Sequence, residues 1–86
     1  MNGSNQSKIT DAVIKLVVDN PMVKVDWVDA SMSLAELNVD SLEKLSIAMD
    51  LEDAFDLEIT DQEVEEFSTV ADIIALVEQI LDDKAA

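Results

Sequence analysis

Apolar residues recur at a helical period in three separate stretches of this chain, and no other feature constrains its fold as tightly. Ile9, Ala12, Val13, Leu16 and Val17 fall on one helix face, with Asp11, Lys15 and Asp19 opposite. Asn20-Pro21 ends that helix, because the residue before a proline is pushed out of the α region. Toward the other end Val70, Ile73, Ile74, Val77, Ile80 and Leu81 share a face against Asp72, Glu78, Gln79 and Asp82, so a helix is expected from about Thr69 to Leu81. Between them a helix is expected from Asp40 or Ser41 to about Phe55. A short helical turn should follow, opened by Thr60 with Glu63 three residues on as a capping box.

Strand-like alternation is confined to Val23, Val25 and Trp27 against Lys24 and Asp26, a short run without a partner strand. The expected fold is therefore all-α. It is a small four-helix bundle with three main helices, one short helix and a long first loop from Pro21 to Val39. Within that loop a turn of helix is expected at Ser33, with Glu36 completing a capping box. Trp27 is expected as the packing anchor that pins the loop over the core.

The 86 residues fit one domain, 1–86, with a polar and disordered leader over 1–6. Apolar residues make up 49 % and aromatics 3 %, so the core must be built from Val, Ile, Leu and Ala. Twenty Asp and Glu oppose five Lys and Arg, a formal net charge of −15. That sign repels nucleic acid and anionic membranes and steers basic partner surfaces toward the chain, while also serving solubility. No Cys is present, which removes disulfides and thiolate metal sites, and no His, which removes the commonest general base and metal ligand. A calcium loop at Asp50-Leu51-Glu52-Asp53 fails its template, since Phe55 stands where the sharp turn needs glycine. No apolar run approaches the ~20 residues of a membrane span. A cytoplasmic, monomeric, metal-free protein that is not an enzyme is the expectation.

The helix expected over 41–55 has an unusual wheel. Glu43, Ser46, Asp50 and Asp53 form a polar strip; Ile47, Leu51, Ala54 and Phe55 form one apolar group; Leu42, Leu45 and Met49 form a second, between the acidic strip and Glu52. A surface helix needs one apolar stripe. Two stripes fit a helix wedged between neighbours, or one that buries Ile47, Leu51 and Phe55 and offers Leu42 and Met49 to a partner. Pattern alone leaves both open. Apolar contacts ringed by carboxylates suit a transient interface with a basic surface.

The start of that helix reads Leu37-Asn38-Val39-Asp40-Ser41-Leu42-Glu43. Asp and Ser are both favoured N-caps, and Asp40 with Glu43 is a variant capping box. A hydroxyl in the first turn lies where unpaired backbone N–H groups and the helix dipole favour an attached phosphate. Ser41 is no hydrolytic nucleophile by this pattern, because no His can activate it and no motif supports Lys8, Lys15, Lys24, Lys44 or Lys84 as its base.

These residues resemble the acyl carrier protein family. Leu37-Asn38-Val39-Asp40-Ser41-Leu42 is similar to that family's Leu-Gly-x-Asp-Ser-Leu motif, whose serine is the phosphopantetheine attachment site. The similarity continues through Met49, Leu51-Glu52, Phe55-Asp56, Glu58-Ile59, Asp61, Glu63 and Thr69-Val70, and spans about Ile9 to Leu81. The resemblance implies a four-helix bundle in which Ser41, flanked by Asp40 and Leu42, carries a covalent 4′-phosphopantetheine arm. A phosphopantetheinyl transferase would move the arm from coenzyme A. The arm's thiol would hold acyl chains as thioesters for acyl-transferring or acyl-elongating enzymes of fatty-acid, lipid or polyketide type. Leu42, Glu43, Met49, Asp50, Glu52 and Asp53 are then the candidate partner-binding residues, facing basic patches. Leu51, Phe55, Ile59, Ile73 and Val77 are candidates to line a space for the acyl chain.

Four departures qualify the resemblance. Asn38 replaces the motif's glycine, and Asn tolerates positive φ better than most residues. Thr60 stands in place of the proline before the third helix. Lys44 puts a positive charge on the recognition helix, and Ser46 occupies a position that is acidic in general fatty-acid carriers, which favours a specialised carrier. Two other functions remain open on sequence: a peptidyl or aminoacyl carrier with the same arm, and an acidic helical adaptor with no prosthetic group.

Overall fold

A computed structural model describes the backbone of residues 2–85 and the side chains of residues 8–84. Four helices follow in order: α1 (Asn2–Asp19), α2 (Ser41–Phe55), α3 (Asp61–Glu65) and α4 (Val70–Ala85). The all-α expectation holds among the described residues, where the one β element is an isolated bridge between Ser33 and Thr69. Among the described residues no helix is long and apolar enough to cross a membrane. Helix α1 packs on α4 and α2, and α2 packs on α3.

The backbone of α1 is helical from Asn2. Met1 lies outside the described residues. Extending an established helix adds one hydrogen bond per residue, so propagation past Ile9 is easier than nucleation. At its other end α1 stops at Asp19, as Asn20-Pro21 requires. Asn20 is buried, and its side-chain carbonyl accepts from the Met22 N–H at 2.9 Å, turning the chain into the loop.

The core is almost wholly aliphatic. Val13 and Val17 from α1, Ile47 and Leu51 from α2, Val64 from α3, and Val70, Ile73 and Val77 from α4 meet in it, with Phe67 the one aromatic residue buried there among the described residues. Each buried aliphatic side chain contributes roughly 1.5–3 kcal/mol over exposure. The loop adds Val23, Val28, Leu34, Leu37 and Val39.

Trp27 does not anchor the loop. Its side chain is 65 % exposed, while the adjacent Val28 is buried. Val23 and Val28 fill the inward positions, so the space beneath the loop is taken by valine-sized groups and the indole is turned out. The loop is instead held through its backbone. Ala30 and Met32 carbonyls accept from the Ala71 and Val70 N–H groups, and the Leu34 N–H donates to the Ser68 carbonyl. These loop carbonyls satisfy donors in the first turn of α4 that no helix can satisfy internally. The expected turn of helix at Ser33 is a pair of tight turns over 34–39. Ser33 Oγ accepts from the Glu36 N–H at 3.1 Å, but no α-helix continues.

Helix α2 ends at Phe55 as expected, and Asp56 closes it with a left-handed backbone, φ 54°. Helix α3 carries the full capping box at Thr60 and Glu63. Helix α4 runs past the expected Leu81 to Ala85. Lys84 in its last turn complements the helix dipole, donates to the Asp56 carbonyl and pairs with the Asp56 carboxylate at 3.9 Å. Both partners are open to solvent, so this pair adds little stability. It does place the C-terminal ends of α2 and α4 together.

Asp72 secures the other end of α4. Its carboxylate accepts from the Ser68 and Thr69 N–H groups at 2.9 and 3.0 Å, and its own N–H donates to Thr69 Oγ1. The Ser68 and then the Thr69 backbone bonds hold this carboxyl below the ordinary value of 3.8, because they favour the ionised form. A depressed folded-state value gives stability that is complete above the unfolded value and lost as pH falls through the folded one. Asp72→Asn is therefore expected to lower Tm at neutral pH, with the gap to the parent closing as pH falls below 3.8 through the depressed folded-state value. Thermal melts across that range check this; parallel curves with a constant gap would contradict it.

Candidate functional site

The site is built at the start of α2, and the loop before it sets its position. Leu34 is fully buried, and its carbonyl accepts from the Leu37 and Val39 N–H groups. This tight reversal forces Asn38 to a positive φ of 64°. Asn is among the few non-glycine residues that visit this region readily, which is why the motif survives without its glycine. Val39 then turns into the core and Asp40 leaves it with extended backbone, φ −91° and ψ −168°.

Asp40 is the N-cap. Its side chain accepts from the Glu43 N–H at 3.1 Å, and its carbonyl accepts from the Lys44 N–H at 2.8 Å. Of the two caps that sequence allowed, Asp40 is used, and only the forward half of the expected capping box is formed among the described residues. Ser41 thus becomes the first helical residue, is exposed, and has no side-chain hydrogen-bond partner among the described residues. Its hydroxyl is not spent on structure. The Ser41 and Leu42 N–H groups have no acceptor within the helix, as first-turn geometry dictates.

Beside Ser41 lies a cleft of about 410 Å³ between α2 and α3, lined by Ser41, Lys44, Leu45, Asp61, Val64 and Glu65. Its residues fit a phosphopantetheine arm. The free first-turn amides favour a phosphate, Leu45 and Val64 offer apolar wall to methyl groups, and the Asp61 and Glu65 carboxylates can accept from amide N–H groups. A cleft of about 440 Å³ lies at the far end of the bundle, among Asp56, Leu57, Glu58, Ile80 and Lys84.

The structure chooses between the two readings of the α2 wheel. Ile47 and Leu51 are buried, together with Ala48, and Phe55 is half-buried. Leu42 is 73 % and Met49 66 % exposed, with Leu45 at the margin at 40 %. The helix is not wedged. It keeps an apolar stripe in water, beside the exposed Asp50 and Asp53. Ala54, grouped with the inward stripe on the wheel, is exposed. The other two acidic candidates differ from Asp50 and Asp53. Glu43 is half-buried, and so is Glu52, whose carboxylate accepts from the Ile59 N–H at 2.8 Å and closes the turn after α2. That bond spans seven residues of irregular chain, so no periodic pattern signals it.

Leu51, Ile73 and Val77 are fully buried, Ile59 is buried and Phe55 half-buried. These five candidate acyl-lining residues belong to the packed core, and none of them lines the cleft beside Ser41. Lys44, which does line it, is a residue that the resemblance treats as a departure.

Comparison with known proteins bears on the same residues. Residues 11–77 match the family model described as a phosphopantetheine attachment site. The chain is 34 % identical over 77 residues to an acyl carrier protein of Akkermansia muciniphila, covering 88 % of this chain and 96 % of that one. It is 39 % identical over 74 residues to an acyl carrier protein of Thermosynechococcus vestitus, covering 85 % and 91 %. Its fold superposes on the crystal structure of an acyl carrier protein from Thermotoga maritima with a TM-score of 0.78, at 26 % identity, covering 91 % of this chain and 92 % of that one. With the matched model spanning most of its length, the chain belongs to the acyl carrier protein family, proteins that hold acyl groups on a covalently attached 4′-phosphopantetheine arm.

Proposed function

We propose that Ser41 Oγ is the attachment point of the arm, and that residues 1–86 act as one carrier domain without catalytic activity of their own. The observation that carries this is the state of the Ser41 hydroxyl. It is exposed, relieved of capping by Asp40, and opens on the α2–α3 cleft. Attachment joins Ser41 Oγ to the arm's phosphorus, releases the nucleotide part of coenzyme A, and removes the hydroxyl proton. No side chain among the described residues bonds the Ser41 hydroxyl and the chain has no His, so the phosphopantetheinyl transferase supplies the base that takes that proton. The arm supplies a thiol, to which acyl groups attach as thioesters.

The rest of α2 suits delivery to partner enzymes. Leu42 and Met49 provide exposed apolar contact, and Asp50 and Asp53 beside them face basic patches. Charge of this kind acts on encounter and orientation, apolar contact on residence. Glu52 contributes to the fold rather than to docking, since its carboxylate is held on Ile59. The exposed Ser46, and Lys44 in the cleft, leave this helix less acidic than in general fatty-acid carriers and favour a dedicated acyl pathway.

Incubation with coenzyme A and a phosphopantetheinyl transferase is expected to add the mass of one arm to the parent chain and none to Ser41→Ala. Because Asp40 is the cap, the substitution should change stability by less than the ~1 kcal/mol of a lost N-cap. A modified Ser41→Ala chain would overturn the assignment. Reversal of Asp50 and Asp53 to Lys is expected to weaken transferase or acyl-enzyme binding at low salt and to matter less as salt rises past the Debye screening range. Unchanged affinity at low salt would remove this face from the docking surface.

A further inference from the structure

Lys44 is the residue that the family resemblance does not explain, and its setting is specific. It lies three residues beyond Ser41, on an adjoining part of α2, and both line the same cleft. Helical side chains lean toward the N-terminus, so the lysine stem reaches back over the turn that carries Ser41. Lys44 is half-buried. Carboxylates lie on both sides of it: Asp61 and Glu65 on the α3 wall, Asp40 at the N-cap and Glu43 in the first turn of its own helix. Yet the one ion pair among the described residues is Lys84 with Asp56, so none of these four comes within ion-pair distance of the Lys44 ammonium.

We propose that Lys44 is a positioning residue for the arm: its ammonium pairs with the phosphodiester on Ser41 and sets the arm's root over the α2–α3 cleft. This rests on Ser41 as the attachment point. A phosphodiester tethered to Ser41 is a permanent anion on the same helix, one turn from Lys44, whereas Asp61 and Glu65 on the facing wall stand outside ion-pair distance. Tethering raises the effective concentration of the phosphate at the lysine. Lys44 is also the one cation lining this cleft, in a chain whose overall field opposes a further negative charge. Two kinds of contact then act together: the ammonium holds the phosphate, and Leu45 and Val64 lie beneath the first part of the arm. Leu42 and Met49, further round α2, stay open to a partner.

The test uses the full chain loaded by transferase and coenzyme A, as parent, Lys44→Met and Lys44→Arg, each first weighed for the added arm. Phosphorus NMR follows the phosphodiester through a salt titration, and proton NMR follows contacts between the arm's methyl groups and the Leu45 and Val64 side chains. The parent is expected to show a salt-dependent phosphorus shift and these contacts. Lys44→Met should lose both, and Lys44→Arg should keep both. A loaded Lys44→Met chain indistinguishable from the parent overturns the role of Lys44 while leaving Ser41 as the attachment point. A parent chain that takes up no arm overturns the Ser41 assignment, and this proposal with it.

Discussion

Leu34 is the pin on which the site depends. Its side chain is fully enclosed, its N–H is tied to the Ser68 carbonyl before α4, and its carbonyl holds the N–H groups of Leu37 and Val39. One residue therefore couples the core, the start of α4 and the turn into α2. Everything that makes Ser41 usable follows: Asn38 is driven to positive φ, Val39 turns inward, Asp40 emerges extended and caps, and Ser41 faces solvent. The hydroxyl is accessible because its neighbours take the structural tasks. Asp40 accepts the capping hydrogen bond from the Glu43 N–H, and Val39 holds the chain to the core.

A related division of labour runs along α2. A helix in a bundle this small could bury nearly all its apolar side chains, and burying Leu42 and Met49 would add stability of roughly the same order as the inward residues provide. The chain leaves them in water, next to Asp50 and Asp53. Such an exposed apolar stripe costs solubility unless charge accompanies it, and the net charge of −15 supplies that. Acidity, the exposed stripe and the free hydroxyl thus lie on one surface, the one we propose for brief encounters with basic partners.

What sequence made legible was what repeats. The three main helices follow from period, the end of α1 at Asp19 from proline, and the start of α3 after Thr60 from a capping box. Ser41 stood out because a motif of local order surrounds it. The missed features are non-local or compete within one turn of chain. Trp27 and Val28 are neighbours with opposite fates, and nothing in their order says that Val23 and Val28 together fill the space an indole would need. The bonds from Ala30 and Met32 to the start of α4 join segments about 40 residues apart, and backbone carbonyls carry no side-chain signature. Glu52 looked like one more surface carboxylate until the fold brought the Ile59 N–H to it. Lys44 was visible only as an anomaly, and the cleft gives that anomaly a place.

The most direct measurement is fragmentation mass spectrometry of the loaded parent chain, which locates the added group on the sequence. The account predicts that every fragment carrying the arm contains Ser41, and that fragments holding Ser4, Ser7, Ser31, Ser33, Ser46 or Ser68 without Ser41 are unmodified. An arm found on any of those serines, or on none, would contradict it.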